Sequence, residues 1–134
     1  MDEVRLINLS KIIDKRGSLS VIEEGKDFPF RIERCCWIYD VPGGDSLDGQ
    51  AFINNNEFIV SLSGSFDVVV DNGNTITNYT LNRSFYGLLV PKLVWHEINN
   101  FSTNSLALIL SSSNYDDSDC IRDYQYFKKL IYEG

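Results

Sequence analysis

Short runs of alternating or β-branched apolar residues, separated by turn residues, fill the chain up to about residue 116. This pattern predicts strands, at residues 19–23, 31–39, 58–62, 66–70, 75–80, 86–90, 94–98 and 105–112. Between two of them, Asp71-Asn-Gly-Asn74 predicts a hairpin turn, because an Asn-Gly pair adopts positive φ at little cost. Turns at intervals of about ten residues are typical of a β-sandwich or barrel.

The end of the chain has a helical period instead. Ser118 is a candidate helix cap, and three aspartates beside it suit the positive end of a helix. Apolar residues then recur every three or four positions, at Ile121, Tyr124, Phe127 (or Lys128) and Ile131. We predict a C-terminal amphipathic helix over about residues 118–131, packed on the β body or on a partner subunit. Since no linker or internal repeat divides the chain, residues 1–134 are predicted to form a single domain.

Composition and charge argue against three classes of protein: disordered, membrane-spanning and nucleic-acid-binding. With 134 residues, 43% hydrophobic content and 17 aromatic side chains, the chain can bury a real core and is not disordered. No apolar run is long enough to span a membrane and the first residues do not form a signal peptide, so a cytoplasmic protein is expected. The 19 acidic and 12 basic residues give a net charge of −7, which argues against a nucleic-acid partner.

The three cysteines, Cys35, Cys36 and Cys120, do not have the spacing of a metal site. Neighbours on a strand point to opposite faces, so a disulfide between Cys35 and Cys36 is not expected. Reduced thiols in a reducing compartment are the simplest interpretation.

Two spacings in the sequence match those that place metal ligands inside cupin barrels. The first comprises Gly44, Gln50, Phe52, Glu57 and Gly64, with Gln50 and Phe52 at the two histidine positions. The second comprises Pro91, Leu93, His96 and Asn100, with Leu93 in place of a glycine. A divalent ion would keep only Glu57 and His96, whereas catalytic metal sites usually have three or more protein ligands. We therefore predict no metal and no other cofactor.

Several longer segments resemble the WxcM-like cupin family of small dTDP-sugar 3,4-ketoisomerases. They are residues 12–24, 29–34, 62–65, 71–73, 91–97 and 115–129, in family order over nearly the whole chain. The resemblance implies an all-β cupin fold, a jelly-roll double-stranded β-helix barrel with a C-terminal amphipathic α-helix. It also implies a homodimer whose N-terminal strand exchanges between subunits, and a nucleotide-linked sugar (a dTDP-sugar) as ligand.

The family reaction moves a carbonyl from C4 to C3 of a keto sugar through an enediol, in pathways that make amino sugars for surface polysaccharides. Resemblance assigns the proton transfers to two histidines, and this chain has Gln50 and Phe52 in their places. Neither side chain can serve as an acid or base at neutral pH. One hypothesis is an isomerase whose chemistry has moved to His96 and its neighbours or whose substrate differs. The alternative is a non-catalytic nucleotide-sugar-binding or structural partner protein on the same fold.

Two arginines are candidate contacts for the nucleotide diphosphate. By resemblance, Arg16 and Gly17 belong to an Asp-x-Arg-Gly element whose arginine reaches the diphosphate, with a glycine that lets the backbone approach closely. Arg34 lies on a predicted strand and either faces into the barrel as a second anion contact or pairs with Glu33 or Asp40.

His96, the only histidine, either points into the barrel cavity or packs against the sheet. If it acts as an acid or base, Glu57 or a tyrosine such as Tyr39 is the candidate partner. Gln50 could donate hydrogen bonds to sugar hydroxyls. Trp37 either stacks on a base or sugar face or belongs to the core.

Overall fold

The computed structural model describes residues 3–25 and 28–133 as a mostly β structure with one C-terminal α-helix. The strands are β1 (Arg5–Asn8), β2 (Ser10–Asp14), β3 (Gly17–Val21), β4 (Arg34–Ile38), β5 (Ala51–Phe52), β6 (Glu57–Ser63), β7 (Phe66–Asp71), β8 (Ile76–Leu81), β9 (Tyr86–Val90), β10 (Trp95–Asn99), β11 (Leu106–Ser111) and β12 (Cys120–Ile121). A 3₁₀ turn covers Asp117–Asp119, and the helix α1 covers Tyr124–Glu133. Among the described residues no helix is both long and apolar enough to cross a bilayer.

Two antiparallel sheets form the body. The larger has the strand order β1-β9-β6-β11-β4, and the smaller has the order β10-β7-β8. Alternate side chains of both sheets point into the space between them, because successive residues of a strand face opposite sides. The core that results is fully apolar at its centre and includes Ile59, Phe66, Val68, Leu88 and Ile109. A second cluster, around Phe58 and Leu110, covers the outer face of the larger sheet.

The predicted strands from residue 58 onward are confirmed within a residue or two. The Asp71–Asn74 hairpin is also confirmed, with Gly73 at φ +97° and the Asn72 amide donating to the Thr75 carbonyl. The predicted strand 31–39 is shorter, as β4, and the predicted strand 19–23 is shifted to residues 17–21. Four short strands, β1, β2, β5 and β12, were not predicted, because each is too short or too exposed to show an alternating pattern.

The predicted start of the helix at residue 118 is wrong. Ser118 lies in the 3₁₀ turn, and the chain then pairs as β12 with β5 before the helix begins at Tyr124. Asp123 is the side chain that caps the helix, since its Oδ1 accepts a hydrogen bond from the Gln125 amide at 2.9 Å. Ile121 is nevertheless buried, in the same apolar cluster as Phe127.

Helix α1 is held on the smaller sheet by an aromatic cluster and two hydroxyl groups. Phe127 is fully buried against Trp95, with ring centroids 5.8 Å apart. The Tyr124 hydroxyl donates to the Asp71 carboxylate, and this hydrogen bond raises the pKa of Tyr124. The Tyr132 hydroxyl donates to the Gly73 carbonyl at 2.7 Å. The prediction that the helix packs on the β body is therefore confirmed.

Strands β2 and β3 pair only with each other and form a hairpin, which we call the arm (residues 10–21). Every residue of both strands is exposed, including the apolar pair Ile12 and Leu19, which face each other across the hairpin. An isolated two-stranded hairpin is at best marginally stable in water. The arm therefore lacks the covering surface that its apolar residues require.

We expect the substitution Gly64→Ala to destabilise the fold by about 3 kcal/mol, from a left-handed backbone and from crowding. Gly64 has φ +70°, and an added Cβ would overlap Ser102 Oγ and lie 2.9 Å from Ser105 Cα. The matched control is Gly44→Ala, where φ is +85° but no atom lies within 4 Å, so about 1–2 kcal/mol is expected. Denaturant unfolding of both variants measures the difference, and equal losses would show that crowding at Gly64 is unimportant.

Candidate functional site

The register of β4 decides which of its side chains enter the space between the sheets. Cys36 is opposite Ile109 of β11, a core residue, and Arg34 is opposite Ser111. Arg34 and Cys36 therefore face inward, and Trp37, which lies between inward-facing positions, faces outward. The prediction that Cys35 and Cys36 face opposite sides follows from the same register.

A buried carboxyl–imidazole pair occupies the centre of this region. Glu57 begins β6 on the inward-facing side, and His96 lies on β10 of the other sheet. The Nε2 atom of His96 is 2.9 Å from Oε1 of Glu57, and both side chains are about 95% buried or more. The Nδ1 atom of His96 is 3.2 Å from the Val94 carbonyl oxygen. The structure thus places His96 in the interior with Glu57, not Tyr39, as its partner.

The short strand β5 brings Gln50 and Phe52 to the same place. Gln50 pairs with His96 through two backbone hydrogen bonds, of 3.0 and 2.9 Å. Its side-chain Oε1 accepts from the Cys120 thiol at 3.3 Å, which leaves its amide hydrogens available to a ligand. The Phe52 ring lies against the imidazole, with centroids 6.2 Å apart.

Arg34 supplies a positive charge beside the pair. Its Nη2 donates to Ser111 Oγ at 3.3 Å, and its guanidinium lies over the Tyr115 ring at 5.4 Å. Its Nε has no hydrogen-bond partner among the described residues. Arg34 faces inward, and Glu33 pairs with Arg31 at 2.8 Å instead. The role of Arg34 as an anion contact stays a prediction.

We call this arrangement the cup, and define it by its inward-facing residues: Arg34, Cys36, Gln50, Phe52, Glu57, His96, Ser111 and Cys120. Burial raises the pKa of the Cys36 thiol, and the negative charge of Glu57 raises it further. Burial also raises the pKa of Cys120. Both thiols are therefore neutral near pH 7, and the cup combines a carboxyl–imidazole pair with one cation and an amide. Such a set can bind an anionic, hydroxyl-rich ligand and transfer protons.

Four of the predicted site residues lie outside the cup. Arg16 and Gly17 are at the tip of the arm, where the Arg16 side chain is 92% exposed. Trp37 and Tyr39 are 58% and 61% exposed. Within one chain, the structure therefore brings together only Arg34, Gln50, Glu57 and His96 from the predicted set.

The residues present do not fit a metal ion. Glu57 and His96 are the two residues at the cupin ligand positions that could coordinate a metal. Their side chains form a hydrogen bond with each other instead of converging on a common point. Within residues 3–25 and 28–133, no three His, Cys, Asp or Glu side chains are grouped as metal ligands.

A cavity of about 710 Å³ lies outside the cup, between β8 and helix α1. It is lined by Tyr79, Lys92, Leu130 and Ile131, among others. Neither Glu57 nor His96 lines it. Because the ionisable pair is in the cup, the candidate site is the cup.

Four residues of the cup were not in the predicted set. Phe52 was named only as the occupant of a histidine position, and Cys36, Ser111 and Cys120 were missed. Ser111 and Cys36 could have been found by pairing β4 with β11 and asking which residues share the face of Arg34. Cys120 could not, because the aspartates before it favour a helix start and hide the strand β12.

Comparisons with known proteins agree over nearly the whole chain. The family model described as FdtA, WxcM-like, C-terminal, matches residues 2–132. A TDP-4-oxo-6-deoxy-alpha-D-glucose-3,4-oxoisomerase from Aneurinibacillus thermoaerophilus is 43% identical over 129 residues, 96% of this chain and 93% of that protein.

Solved structures of sugar ketoisomerases have the same fold. QdtA, a sugar 3,4-ketoisomerase from Thermoanaerobacterium thermosaccharolyticum solved in complex with TDP, superposes with a TM-score of 0.93 at 29% identity, over 97% of this chain and 95% of that one. WlaRB, a TDP-quinovose 3,4-ketoisomerase from Campylobacter jejuni, superposes with a TM-score of 0.91 at 33% identity, over 96% and 99%. The predicted all-β cupin jelly-roll with a C-terminal helix is thereby confirmed.

Proposed function

The chain belongs to the FdtA, WxcM-like C-terminal family of TDP-sugar 3,4-ketoisomerase homologues, and from that membership we propose that it isomerises a TDP-linked 4-keto-6-deoxyhexose. The observation that carries the proposal is the buried Glu57–His96 pair, which places an acid–base unit inside the cup. Arg34 beside it suits the diphosphate of such a ligand. The amide of Gln50 suits a sugar hydroxyl or carbonyl.

The reaction requires a proton to leave C3 and another to arrive at C4. Removal of the C3 proton moves electrons to the C4 carbonyl oxygen. That oxygen takes the proton of the O3 hydroxyl, and protonation at C4 then leaves the carbonyl at C3. One group can do both if it takes the proton from C3 and returns it to C4. A single acid–base pair in the cup is therefore sufficient for the isomerisation, although Gln50 and Phe52 occupy the positions at which the resemblance places two histidines.

A second candidate function is binding without catalysis. Phe52, which has no acid–base chemistry, lies against the His96 ring. The side chain of Gln50 accepts a hydrogen bond from the Cys120 thiol. This packing favours a cup that holds a nucleotide sugar without transforming it. Formation of a 3-keto product separates the two functions, since a binding protein would give none.

We also propose a homodimer in which the arm covers a second copy. A cavity of about 300 Å³ separates the arm from the outer face of the larger sheet, with Leu62 and Leu108 in its lining. The arm carries three basic residues and one acid, whereas residues 35–134 carry 12 acidic and five basic residues. A basic arm on an acidic body suits exchange between identical subunits. Arg16 would then contact the diphosphate only in the assembled dimer.

The proposed location is the cytoplasm. The three cysteines are free, and Cys35 and Cys36 point to opposite faces of β4, so they cannot pair with each other. Free exposed thiols suit a reducing compartment.

Ligand binding in the cup is tested by alkylating the cysteines, because Cys35 and Cys36 are neighbours on opposite faces. We expect saturating TDP or TDP-4-keto-6-deoxyglucose to slow the alkylation of Cys36 at mildly alkaline pH by about tenfold or more, since a bound ligand covers the cup. Cys35, on the outer face, is the internal control and should react at an unchanged rate. Mass spectrometry of the labelled peptides gives both rates, and equal protection of both cysteines or of neither would contradict binding in the cup.

A further inference from the structure

Both ring nitrogens of His96 are already engaged by protein atoms. Nδ1 is 3.2 Å from the Val94 carbonyl oxygen, and a carbonyl oxygen can only accept, so Nδ1 carries a hydrogen. Nε2 is 2.9 Å from Glu57 Oε1, and that contact also needs a hydrogen between the two atoms. The pair therefore holds one proton more than a neutral imidazole and a carboxylate would. The ring has no free nitrogen with which to contact a substrate.

Glu57, in contrast, has one oxygen free. Its contact with His96 uses Oε1, and Oε2 has no hydrogen-bond partner among the described residues. Oε2 also keeps a small exposure, since it lacks a partner and yet is not fully sealed from solvent. Because Glu57 is one of the inward-facing residues of the cup, we take this oxygen as the one available there. The negative charge of Glu57 raises the pKa of both thiols of the cup, Cys36 on β4 and Cys120 on β12.

The groups that face the pair are compatible with an ionised pair. Arg34 is positive, and the thiols of Cys36 and Cys120 are neutral, because burial raises the pKa of both. A carboxylate on Glu57 would then be the only anion among the residues that define the cup, and a doubly protonated His96 would donate to its Oε1 from Nε2. In that form Oε2 is an unprotonated base inside the cup.

We propose that Glu57, through Oε2, is the catalytic residue that transfers the proton between C3 and C4, and that His96 is its positioning residue. This assignment rests on the proposed isomerase function. Oε2 takes the C3 proton, the C3–H electron pair forms the C3–C4 double bond, and the C4 carbonyl oxygen becomes an enediolate oxygen. That oxygen takes the proton of the O3 hydroxyl, the O3 electrons form the C3 carbonyl, and C4 takes the proton back from Oε2. The imidazolium keeps its proton throughout and balances the negative charge of the enediolate.

The test compares Glu57→Gln, His96→Gln and the matched control Glu97→Gln. Glu97 is the neighbouring carboxylate on β10, faces the opposite side of the strand, and accepts from the Trp95 indole at 3.3 Å. Glu57→Gln is expected to slow deuterium exchange at C3 of TDP-4-keto-6-deoxyglucose by about 10²–10⁴-fold, with TDP affinity within about threefold of wild type. Glu97→Gln should exchange the C3 proton at a rate within about twofold of the wild-type rate. Should the Glu57→Gln variant misfold, Glu57→Asp keeps the charge but withdraws the oxygen by one methylene and should still lose about a hundredfold.

His96→Gln is expected to lower kcat by up to about a hundredfold with KM unchanged, because Glu57 keeps a hydrogen-bond donor but loses its cation. The ¹⁵N NMR spectrum of His96 in the ligand-free wild type should show two protonated ring nitrogens, and Glu57→Gln should remove one. The assignment to Glu57 is wrong if Glu57→Gln exchanges the C3 proton at a rate within about tenfold of the wild-type rate. It is also wrong if His96 of the wild type has a single ring N–H. If the wild type binds TDP but does not exchange the C3 proton, the proposed isomerase function is wrong, and the assignment of Glu57, which depends on it, is wrong as well.

Discussion

Replacement of His96 by leucine is expected to lower the free energy of unfolding by about 3–5 kcal/mol. The reason is that the carboxyl group of Glu57, a residue only 4% exposed, loses its only hydrogen-bond partner among the described residues and remains as an unpaired buried charge. Removal of one member of a buried pair is much more costly than removal of both. The double variant Glu57→Leu/His96→Leu is therefore expected to recover most of the loss, since two apolar residues of similar volume fill the space.

Urea unfolding of wild type and the three variants, followed by circular dichroism at one fixed protein concentration, measures this coupling. The third variant, Glu57→Leu alone, completes the double-mutant cycle. Strictly additive losses, with no recovery in the double variant, would show that Glu57 and His96 do not interact in solution.

Charges placed on the apolar face of the arm are expected to convert the proposed dimer into a monomer. Ile12 and Leu19 face each other across β2 and β3 and are 60% and 56% exposed in the single chain. Burial of each stabilises the assembly by about 1.5–3 kcal/mol, and a symmetric dimer buries each of them twice. The variant Ile12→Lys/Leu19→Lys should therefore raise the dissociation constant by at least about a thousandfold.

Light scattering distinguishes the 15.3 kDa chain from a dimer of twice that mass. The control is Ile76→Lys, which charges a somewhat more exposed apolar residue, 68% exposed, on β8 of the smaller sheet and should leave the mass unchanged. A wild-type protein that is monomeric at all accessible concentrations, or a charged arm that still dimerises, would refute arm exchange.

Hydrophobic alternation predicted the body of the fold because the strands from β6 to β11 each have one face in the core. The same rule missed β2 of the arm, which has no buried residue to reveal it, and placed β3 two residues too late. It also failed at the end of the chain. There Ser118 and its neighbouring aspartates resemble a helix start, but pairing of β12 with β5 and the cap at Asp123 delay the helix to Tyr124.

The candidate site was predictable in part. The spacing around Glu57 and His96 identified two residues that the structure places 2.9 Å apart, although they are separated by 39 positions in the sequence. Strand facing could not be assigned from sequence, since a shift of one residue exchanges the inner and outer faces. Trp37 was a candidate for that reason, while Cys36, the residue that enters the cup, was not.

The measurement that tests the account most directly is proton NMR of the wild-type protein with TDP-4-keto-6-deoxyglucose in deuterated water. Isomerase function predicts loss of the C3 proton signal by exchange and the appearance of the 3-keto isomer, both dependent on enzyme concentration. An unchanged C3 proton over many hours, with ligand still shifting the protein resonances, would contradict isomerisation and leave a nucleotide-sugar-binding protein.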